Sequence, residues 1–215
     1  MAEYEIRFKM MADALSGLGK ESASLDAAAC LMAKAAQRDA LVHVFGVDAK
    51  AADIQGELFY RAGGLACINP LYDPAFSNSH GAYRSELCRP LDGLTPRILE
   101  YYEYIEPGNP LILLAFDADS VAFAQTAAWA KAHDLDLIAV VPEPPKNAQT
   151  VSLPDVTVCF GYGYETLLMT AVLNELMARA VELAPDAAVW RGDFFPNSQI
   201  CQDIVDKYLW RIRHL

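Results

Sequence analysis

The 215-residue sequence predicts an α/β protein: a three-layer α/β/α sandwich in which helices cover both faces of a five-stranded parallel sheet. Three observations favour this class. Short apolar runs alternate with longer segments of helical periodicity along most of the chain. The run LILLAF at 111–116 has no polar alternation, which is typical of a strand buried on both faces. The run at 41–45 ends at Gly46 and leads into a helix, as at the strand–helix corners where α/β proteins hold ligands.

The predicted strands, in chain order, are residues 41–45, 65–68, 111–116, 137–141 and 156–160. Crossovers between parallel strands are right-handed. Because parallel strands run in the same direction, their carboxyl ends all lie at one edge of the sheet. Ligands of open α/β sheets bind outside that edge. We therefore expect the functional site among the segments that follow the strands, which are 46–50, 69–74, 116–120, the residues after 142, and 161–166.

Helices are predicted where apolar residues recur at a spacing of three or four. In the second helix, Leu25, Ala28 and Met32 lie on one apolar face, and its many alanines indicate close packing against another helix or another subunit. The predicted helices are 3–16, 24–38, a helix after residue 50, 95–102, a helix that ends near 132, 165–183, and an amphipathic C-terminal helix.

The chain is predicted to form a single domain, because its length suits one hydrophobic core. Two connections are predicted to lack regular structure: a proline-rich loop at 69–74 and a polar loop at 77–93. Within residues 1–215 we distinguish N-terminal helices at 1–40 that pack on the sheet or on a dimer partner, an α/β core at 41–183, and a C-terminal helix at 197–215.

The composition indicates a folded protein, with 53% hydrophobic and 21% charged residues. A net charge of −11 repels a phosphate backbone, so we expect no nucleic-acid partner. No apolar run approaches the ~20 residues of a membrane span, and the N-terminal segment lacks the layout of a signal peptide. The five cysteines are odd in number and form no CxxC pair. Together these features predict a cytoplasmic protein without a membrane partner.

Four segments resemble a known family: HVFG at 43–46, ELFYRAGGL at 57–65, INPLYDP at 68–74 and RIRHL at 211–215. In this order they resemble the sugar isomerase (SIS) domain family, in its branch of small single-domain proteins related to phosphoheptose isomerase. The resemblance covers nearly the full chain, although the stretch at 142–160 is shorter than the corresponding stretch in the family. It implies a flavodoxin-like sheet, a homodimer or homotetramer, and a sugar or sugar derivative as the ligand.

The loops at the strand ends depart from the pattern of that family. Its first phosphate loop reads Gly-x-Gly-His-Ser, where this chain has Gly-Val-Asp-Ala-Lys at 46–50. Its second reads Ser-Asn-Ser-Gly, where this chain has Ala-Phe-Asp-Ala at 115–118, and residues 196–201 contain no His where relatives carry one. A charge-assisted hydrogen bond contributes roughly 1.5–3 kcal/mol, so these changes predict a degenerate phosphosugar site. A site for an uncharged or cationic sugar is the alternative.

Two residues are candidates for catalysis through the resemblance. Glu57 corresponds to a glutamate that can act as acid or base in related isomerases, and its alternative is a helix residue paired with Arg61. His80 lies in the polar loop and is a candidate ligand contact or general base. Its alternative is a solvated loop residue. Aldose–ketose isomerisation needs such groups to move a proton between neighbouring carbons. His43 is predicted as a core histidine, and His214 as part of a docked C-terminus.

Six residues at the strand ends are predicted to contact a ligand. Their alternative is a purely local role as loop charges and helix caps, and either Asp119 or Ser120 is expected to cap the helix that follows. No His, Cys or carboxylate cluster has the spacing of a metal site, so we expect no metal, and we expect no cofactor. The predicted ligand contacts are Asp48, Lys50, Asp117, Ser120, Glu165 and Thr166.

Two functions of different classes follow from these expectations. The first is a sugar or sugar-phosphate isomerase of the phosphoheptose isomerase type with a rebuilt site. The second is a non-catalytic structural or regulatory subunit that binds a sugar derivative or pairs with a complete relative. The preserved scaffold and the altered loops suit the second function, whereas the tyrosines near the strand ends suit the first.

Overall fold

The computed structural model describes residues 3–192 and 199–215. In these residues the order of the strands across the sheet is β2-β1-β3-β4-β5, and each neighbouring pair is parallel. The predicted α/β class and the flavodoxin-like strand order are confirmed. The strands are β1 (Val42–Gly46), β2 (Ile68–Pro70), β3 (Pro110–Leu114), β4 (Asp136–Val141) and β5 (Val156–Cys159).

Helices cover both faces of the sheet and form two apolar layers. One layer is built mainly by α2 and α7, and the other by α5 and α6. Short 3-10 turns at Leu18–Glu21, Gln55–Leu58 and Asn78–His80 join some of these elements. The helices are α1 (Glu3–Gly17), α2 (Ser22–Gln37), α3 (Ala49–Ile54), α4 (Ala82–Cys88), α5 (Leu94–Glu100), α6 (Val121–Ala132), α7 (Glu165–Leu183) and α8 (Gln199–Tyr208).

The central strand β3 shows why the sequence contains continuous apolar runs. Leu111 and Leu113 belong to the layer under α5 and α6, whereas Ile112 and Leu114 belong to the layer under α2 and α7. Successive side chains of a strand point to opposite faces, so a strand between two helical layers needs apolar residues at every position. The three-layer sandwich predicted from LILLAF is confirmed.

The second strand lies three residues later than predicted, at Ile68–Pro70 rather than at 65–68. Leu65 forms an isolated antiparallel bridge with Val189 instead. Pro70 is tolerated because β2 is an edge strand and pairs only with β1. The prediction was wrong because the prolines of this segment were taken to end the strand.

The polar segment at 77–93 is not a loop throughout, because it contains the Asn78–His80 turn and α4. Ser85 is the buried residue of α4, and its Oγ donates to the carbonyl oxygen of Phe76 over 3.2 Å. A helix held by polar bonds shows no apolar periodicity, which is why this one was missed. The C-terminal helix was predicted too long: α8 ends at Tyr208, and residues 197–198 of that prediction lie outside the described residues.

Candidate functional site

The turn from β1 into α3 brings the backbone of two elements unusually close. A Cβ atom at Gly46 would lie 2.4 Å from backbone atoms of both Ala51 and Ala52, so only glycine fits there. The Gly46 N–H donates to Oε1 of Gln55 over 3.1 Å. The carboxyl end of β1 is therefore fixed against α3 and the turn that follows it.

Asp48, a predicted ligand contact, bridges two strand ends inside the protein. Its Oδ1 accepts from the Ala51 N–H at 3.0 Å and caps α3, and its Oδ2 accepts from the Phe116 N–H at 2.6 Å. Burial raises the pKa of Asp48, and the two backbone N–H groups oppose that shift. The carboxylate thus holds the loop after β1 to the loop after β3 and takes up two N–H groups that face this edge.

A cleft of about 540 Å³ opens at the ends of β1 and β3, and we call it the strand-end cleft. Lys50 lies in it with its Nζ 5.7 Å from the ring centre of Phe116. Arg89, which directly follows α4, contributes a second cation, and its Nη2 lies 3.4 Å from Oε2 of Glu86. Two cations, two carboxylates and two aromatic rings therefore share this cleft. The residues that define the cleft are Asp48, Ala49, Lys50, Asn78, Ala82, Tyr83, Glu86, Arg89 and Phe116.

Sequence analysis located Lys50 but missed Arg89 and Glu86. Tyr83, Glu86 and Arg89 recur every three residues, a spacing that places them on one side of a helix. This signal is visible only if 82–88 is recognised as helical, and the segment was predicted to be a loop.

Asp117 and Ser120 form the local turn that starts α6. Ser120 Oγ accepts from the Phe123 N–H at 3.3 Å and donates to the Asp117 carbonyl oxygen at 2.8 Å. Asp117 Oδ1 accepts from the Asp119 N–H at 3.1 Å, while Asp119 Oδ1 accepts from the Lys146 N–H at 2.7 Å. Ser120 is the cap, as one of the two alternatives expected. The carboxylates after β3 thus bind backbone groups of the protein.

Glu165 and Thr166 lie in the first turn of α7. Glu165 Oε1 accepts from the Gly163 N–H at 2.9 Å, and this hydrogen bond lowers the pKa of Glu165. The charge of Lys50 contributes to the same shift. Thr166 is exposed. Neither residue forms part of the wall of the strand-end cleft as the described residues define it.

A second cavity of about 440 Å³ is lined by α3, by the segment that follows the edge strand β2 and by His214, and we call it the edge pocket. His80, a predicted catalytic residue, lines it. Nδ1 of His80 lies 3.1 Å from Oγ of Ser79, which in turn lies 2.6 Å from Oγ of Ser77. The pocket therefore places an imidazole at the end of a chain of hydroxyls. Its other acid–base groups are Asp53, Asp73 and His214.

His214 is a site residue that sequence analysis assigned only to a docked terminus. Its Nε2 lies 3.2 Å from the Tyr102 hydroxyl, and its ring packs edge-on to Tyr72 at 5.1 Å between centres. Burial lowers the pKa of His214, which favours the neutral imidazole at neutral pH. A C-terminal residue reaches this pocket only through the tertiary fold, so no local motif could have revealed it.

One hydrogen bond stands between the two cavities. Nδ2 of Asn78 donates to Oδ2 of Asp53 over 2.9 Å. Asn78 lines the strand-end cleft, and Asp53 lines the edge pocket. The two cavities are therefore neighbours on either side of this contact.

Glu57, the other predicted catalytic residue, lies in the 3-10 turn Gln55–Leu58 rather than in α3. It is exposed and lines neither cavity. Arg61 donates to its carbonyl oxygen at 3.2 Å and also binds the Asn174 side chain. The two predicted catalytic residues therefore do not share a site: His80 lines the edge pocket, and Glu57 does not.

Within residues 3–192 and 199–215, no helix is both long and apolar enough to cross a membrane. The same residues contain no group of three or more His, Cys, Asp or Glu side chains with the arrangement of a metal site.

Sequence comparison supports the family resemblance. The sequence model of the SIS domain matches residues 8–141. A UPF0309 protein of Thermoanaerobacter pseudethanolicus is 24% identical over 83% of this chain and 85% of its own length. A UPF0309 protein of Brucella ovis is 32% identical over 66% of this chain and 61% of its own length.

Solved structures share the fold at low sequence identity. A phosphoheptose isomerase from Neisseria gonorrhoeae superposes with a TM-score of 0.59 and 12% identity, over 85% of this chain and 97% of that one. A phosphoheptose isomerase from Francisella tularensis has the same TM-score and identity, over 86% of this chain and 100% of its own. At this identity the likeness concerns the fold alone.

Proposed function

The chain belongs to the SIS domain family, and we propose that it binds an anionic sugar derivative of the sugar-phosphate class in the strand-end cleft. The observation that carries the proposal is the pair of cations, Lys50 and Arg89, in a cleft at the carboxyl ends of β1 and β3. Ligands of this fold class bind at that edge. The phosphoheptose isomerases of similar fold support the class of ligand.

The mode of binding follows from two features of the cleft. The loops after β1 and β3 offer no backbone N–H cradle, and the end of α4 supplies a cationic side chain. Asp48 occupies two backbone N–H groups at the strand ends, so a backbone cradle is not offered to the anion. Side-chain cations replace it, since a hydrogen bond to a charged group contributes roughly 1.5–3 kcal/mol. Tyr83 and Phe116 provide aromatic faces for the apolar side of a sugar ring.

The edge pocket supports a catalytic version of this proposal. His80 and His214 present two imidazoles next to the cleft, and such groups can move a proton between neighbouring carbons of a sugar. In this version the sugar phosphate is anchored in the strand-end cleft, and its reactive carbons reach past Asn78 into the edge pocket. Isomerase activity is the function that this arrangement would serve.

Calorimetric titration of the purified protein tests the proposal. A pentose phosphate and a hexose phosphate are compared with the same sugars without phosphate. We expect the phosphates to bind, and Lys50→Met and Arg89→Met each to weaken them about 10- to 100-fold, from the loss of a charge-assisted bond. Lys34→Met removes an exposed lysine of α2 outside the cleft and serves as the control.

Two results would contradict the proposal: equal affinity for the phosphorylated and neutral sugars, or equal effects of all three substitutions. Proton NMR of the same mixtures detects aldose–ketose interconversion. Binding without interconversion would retain the ligand and reject the catalytic version.

A second candidate function is a non-catalytic subunit that acts by association with a similar chain. The observation that favours it is α1, which has no buried residue and exposes several large apolar side chains. Association and ligand binding are compatible, because α1 lines neither cavity.

A further inference from the structure

Gln55 brings a buried amide group to the wall of the edge pocket. The residue is 1% exposed, and its Oε1 accepts from the Gly46 N–H over 3.1 Å. A backbone N–H must meet an oxygen, so this bond fixes the orientation of the amide and turns its NH2 group away from Gly46. Gln55 is also one of the residues that line the edge pocket. The fold thus holds an oriented N–H donor at this wall.

The Nε2 atom of Gln55 is both unpaired and accessible. It has no hydrogen-bond partner within residues 3–192 and 199–215, and it is not one of the unpartnered polar atoms that are sealed from solvent there. Because the rest of the side chain is packed inside the protein, its accessible surface belongs to the edge pocket that it lines. A buried donor without a partner costs free energy, which an acceptor from a bound molecule would recover.

His214 contributes an acceptor to the same pocket. The Tyr102 hydroxyl donates its single proton to the carbonyl oxygen of Tyr72, so its oxygen must accept from Nε2 of His214, which lies 3.2 Å away. In the neutral imidazole Nε2 therefore carries the proton, and Nδ1 keeps its lone pair. Nδ1 has no hydrogen-bond partner in the part of the chain that the structure describes.

The remaining polar wall of the edge pocket is acidic. Asp53 accepts from Asn78 through Oδ2, and Asp73 accepts from the Ala75 N–H through Oδ1 at 2.7 Å. The other oxygen of each carboxylate has no partner among the described residues, and the wall they form contains neither Lys nor Arg. Such a wall repels a second anion, whereas a hydroxyl can accept from Gln55 and donate to a carboxylate or an imidazole.

We propose that the edge pocket binds the hydroxyl-bearing end of the sugar phosphate, and that Gln55 determines this specificity. Its Nε2 donates to an oxygen on one of the two carbons farthest from the phosphate, while His214 or a carboxylate accepts a hydroxyl proton of the same end. The volume of about 440 Å³ lies within the ~300–1,000 Å³ of small-molecule sites. The inference rests on the sugar-phosphate ligand proposed above and adds the residue that recognises its other end.

Calorimetric titration with glucose 6-phosphate and two analogues tests the role of Gln55. The analogues are 2-deoxyglucose 6-phosphate and 1,5-anhydroglucitol 6-phosphate, which lack the oxygen on carbon 2 and on carbon 1. We expect at least one of them to bind about tenfold more weakly, because the missing oxygen leaves Gln55 unpaired. Gln55→Met should weaken glucose 6-phosphate by a similar factor and leave that analogue unchanged. A residue that only supports Gly46 would instead weaken all three ligands alike.

Gln55→Glu keeps an oxygen for the Gly46 N–H and replaces the NH2 donor by an oxygen, so it should lose the same discrimination. Gln202→Met changes an exposed glutamine of α8 outside the pocket and should behave as the wild type. Thermal unfolding of each variant confirms that it is folded. Glucose 1,6-bisphosphate places a second anion in the acidic pocket and should bind at least about tenfold more weakly than glucose 6-phosphate.

Three results would overturn this inference and leave the sugar-phosphate proposal intact. They are equal affinity for glucose 6-phosphate and both analogues, an equal loss for all three ligands in Gln55→Met, and a bisphosphate that binds as tightly as the monophosphate. Absence of binding for every phosphate in the series would overturn both proposals.

Discussion

His43 is a fully buried titratable side chain in the middle of β1. Its Nδ1 lies 3.1 Å from Nδ2 of Asn69, and its Nε2 lies 3.5 Å from Nδ2 of Asn109. Burial lowers the pKa of His43 to about 3, and the charge of Arg211 adds to the shift. The position is that of the core histidine predicted from the sequence. A neutral imidazole between two amides follows from this burial.

The neutral His43 makes the stability of the protein depend on pH. The unfolded chain binds a proton below about pH 6.5, whereas the folded chain does not until about pH 3. The stabilisation is therefore complete above pH 6.5 and is lost as the pH falls, by up to ~1.4 kcal/mol per pH unit. Urea unfolding between neutral and mildly acidic pH should show this slope in the wild type and a smaller one in His43→Gln.

His133→Gln is the matched control for that experiment, because His133 is exposed at the end of α6. We expect this variant to retain the slope of the wild type. Parallel curves for His43→Gln and the wild type would show that the pH dependence comes from other groups.

Among single residues of the candidate site, the sequence indicated location better than role. Asp48 and Lys50 were placed at the end of β1 because a glycine-terminated apolar run precedes them. The internal bonds of Asp48 to Ala51 and Phe116 depend on two loops meeting, which no local pattern encodes. Arg89 was missed for the same reason, since it reaches the cleft only through the packing of α4.

Among the elements, α2 shows how a sequence pattern determines packing. Its buried face is rich in alanine, and α2 packs against α7. Small side chains allow two helices to approach closely, and polar bonds at the rim then fix their positions. Arg179 of α7 contacts Oδ1 of Asp26 at 2.6 Å, and Gln37 donates to the carbonyl oxygen of Leu183 at 2.9 Å.

Replacing one of these buried alanines of α2 by a larger residue should destabilise the fold. Ala29 is fully buried, so Ala29→Leu forces extra volume into a close-packed region and should cost about 1–3 kcal/mol of unfolding free energy. Ala27→Leu makes the same change at an exposed position of the same helix and should be nearly neutral. Chemical denaturation of both variants measures the difference. Equal stabilities would mean that the core around α2 can expand at little cost.

Long periodic elements were predictable, and short ones held by tertiary contacts were not. The helices α2 and α7 and the strand β3 carry enough apolar residues for the period to be read. The strand β2 has three residues, two of which are Asn and Pro, and it forms because β1 offers a parallel partner. The helix α4 likewise depends on polar bonds to the preceding loop.

At the scale of the whole molecule, α1 is the part that a single chain does not explain. None of its residues is buried, although it contains large apolar side chains that would normally be covered. Tyr4 and Phe8 are four residues apart and therefore lie on the same side of the helix. The exposed fractions of Tyr4, Ile6, Phe8 and Met10 are 56%, 46%, 67% and 52%.

We therefore expect the protein to associate through α1, as the homodimer or homotetramer that the family resemblance implies. Sedimentation velocity should give a mass above that of one chain for the wild type, and Phe8→Glu should shift it toward the monomer, because it places a charge in an apolar contact. Leu91→Glu makes the same change at an exposed leucine outside α1 and should leave the mass unchanged. A monomeric wild type would show that the chain does not associate. A Phe8→Glu variant of unchanged mass would show that it associates through another surface. Retained sugar-phosphate binding in Phe8→Glu would further show that the strand-end cleft is complete within one chain.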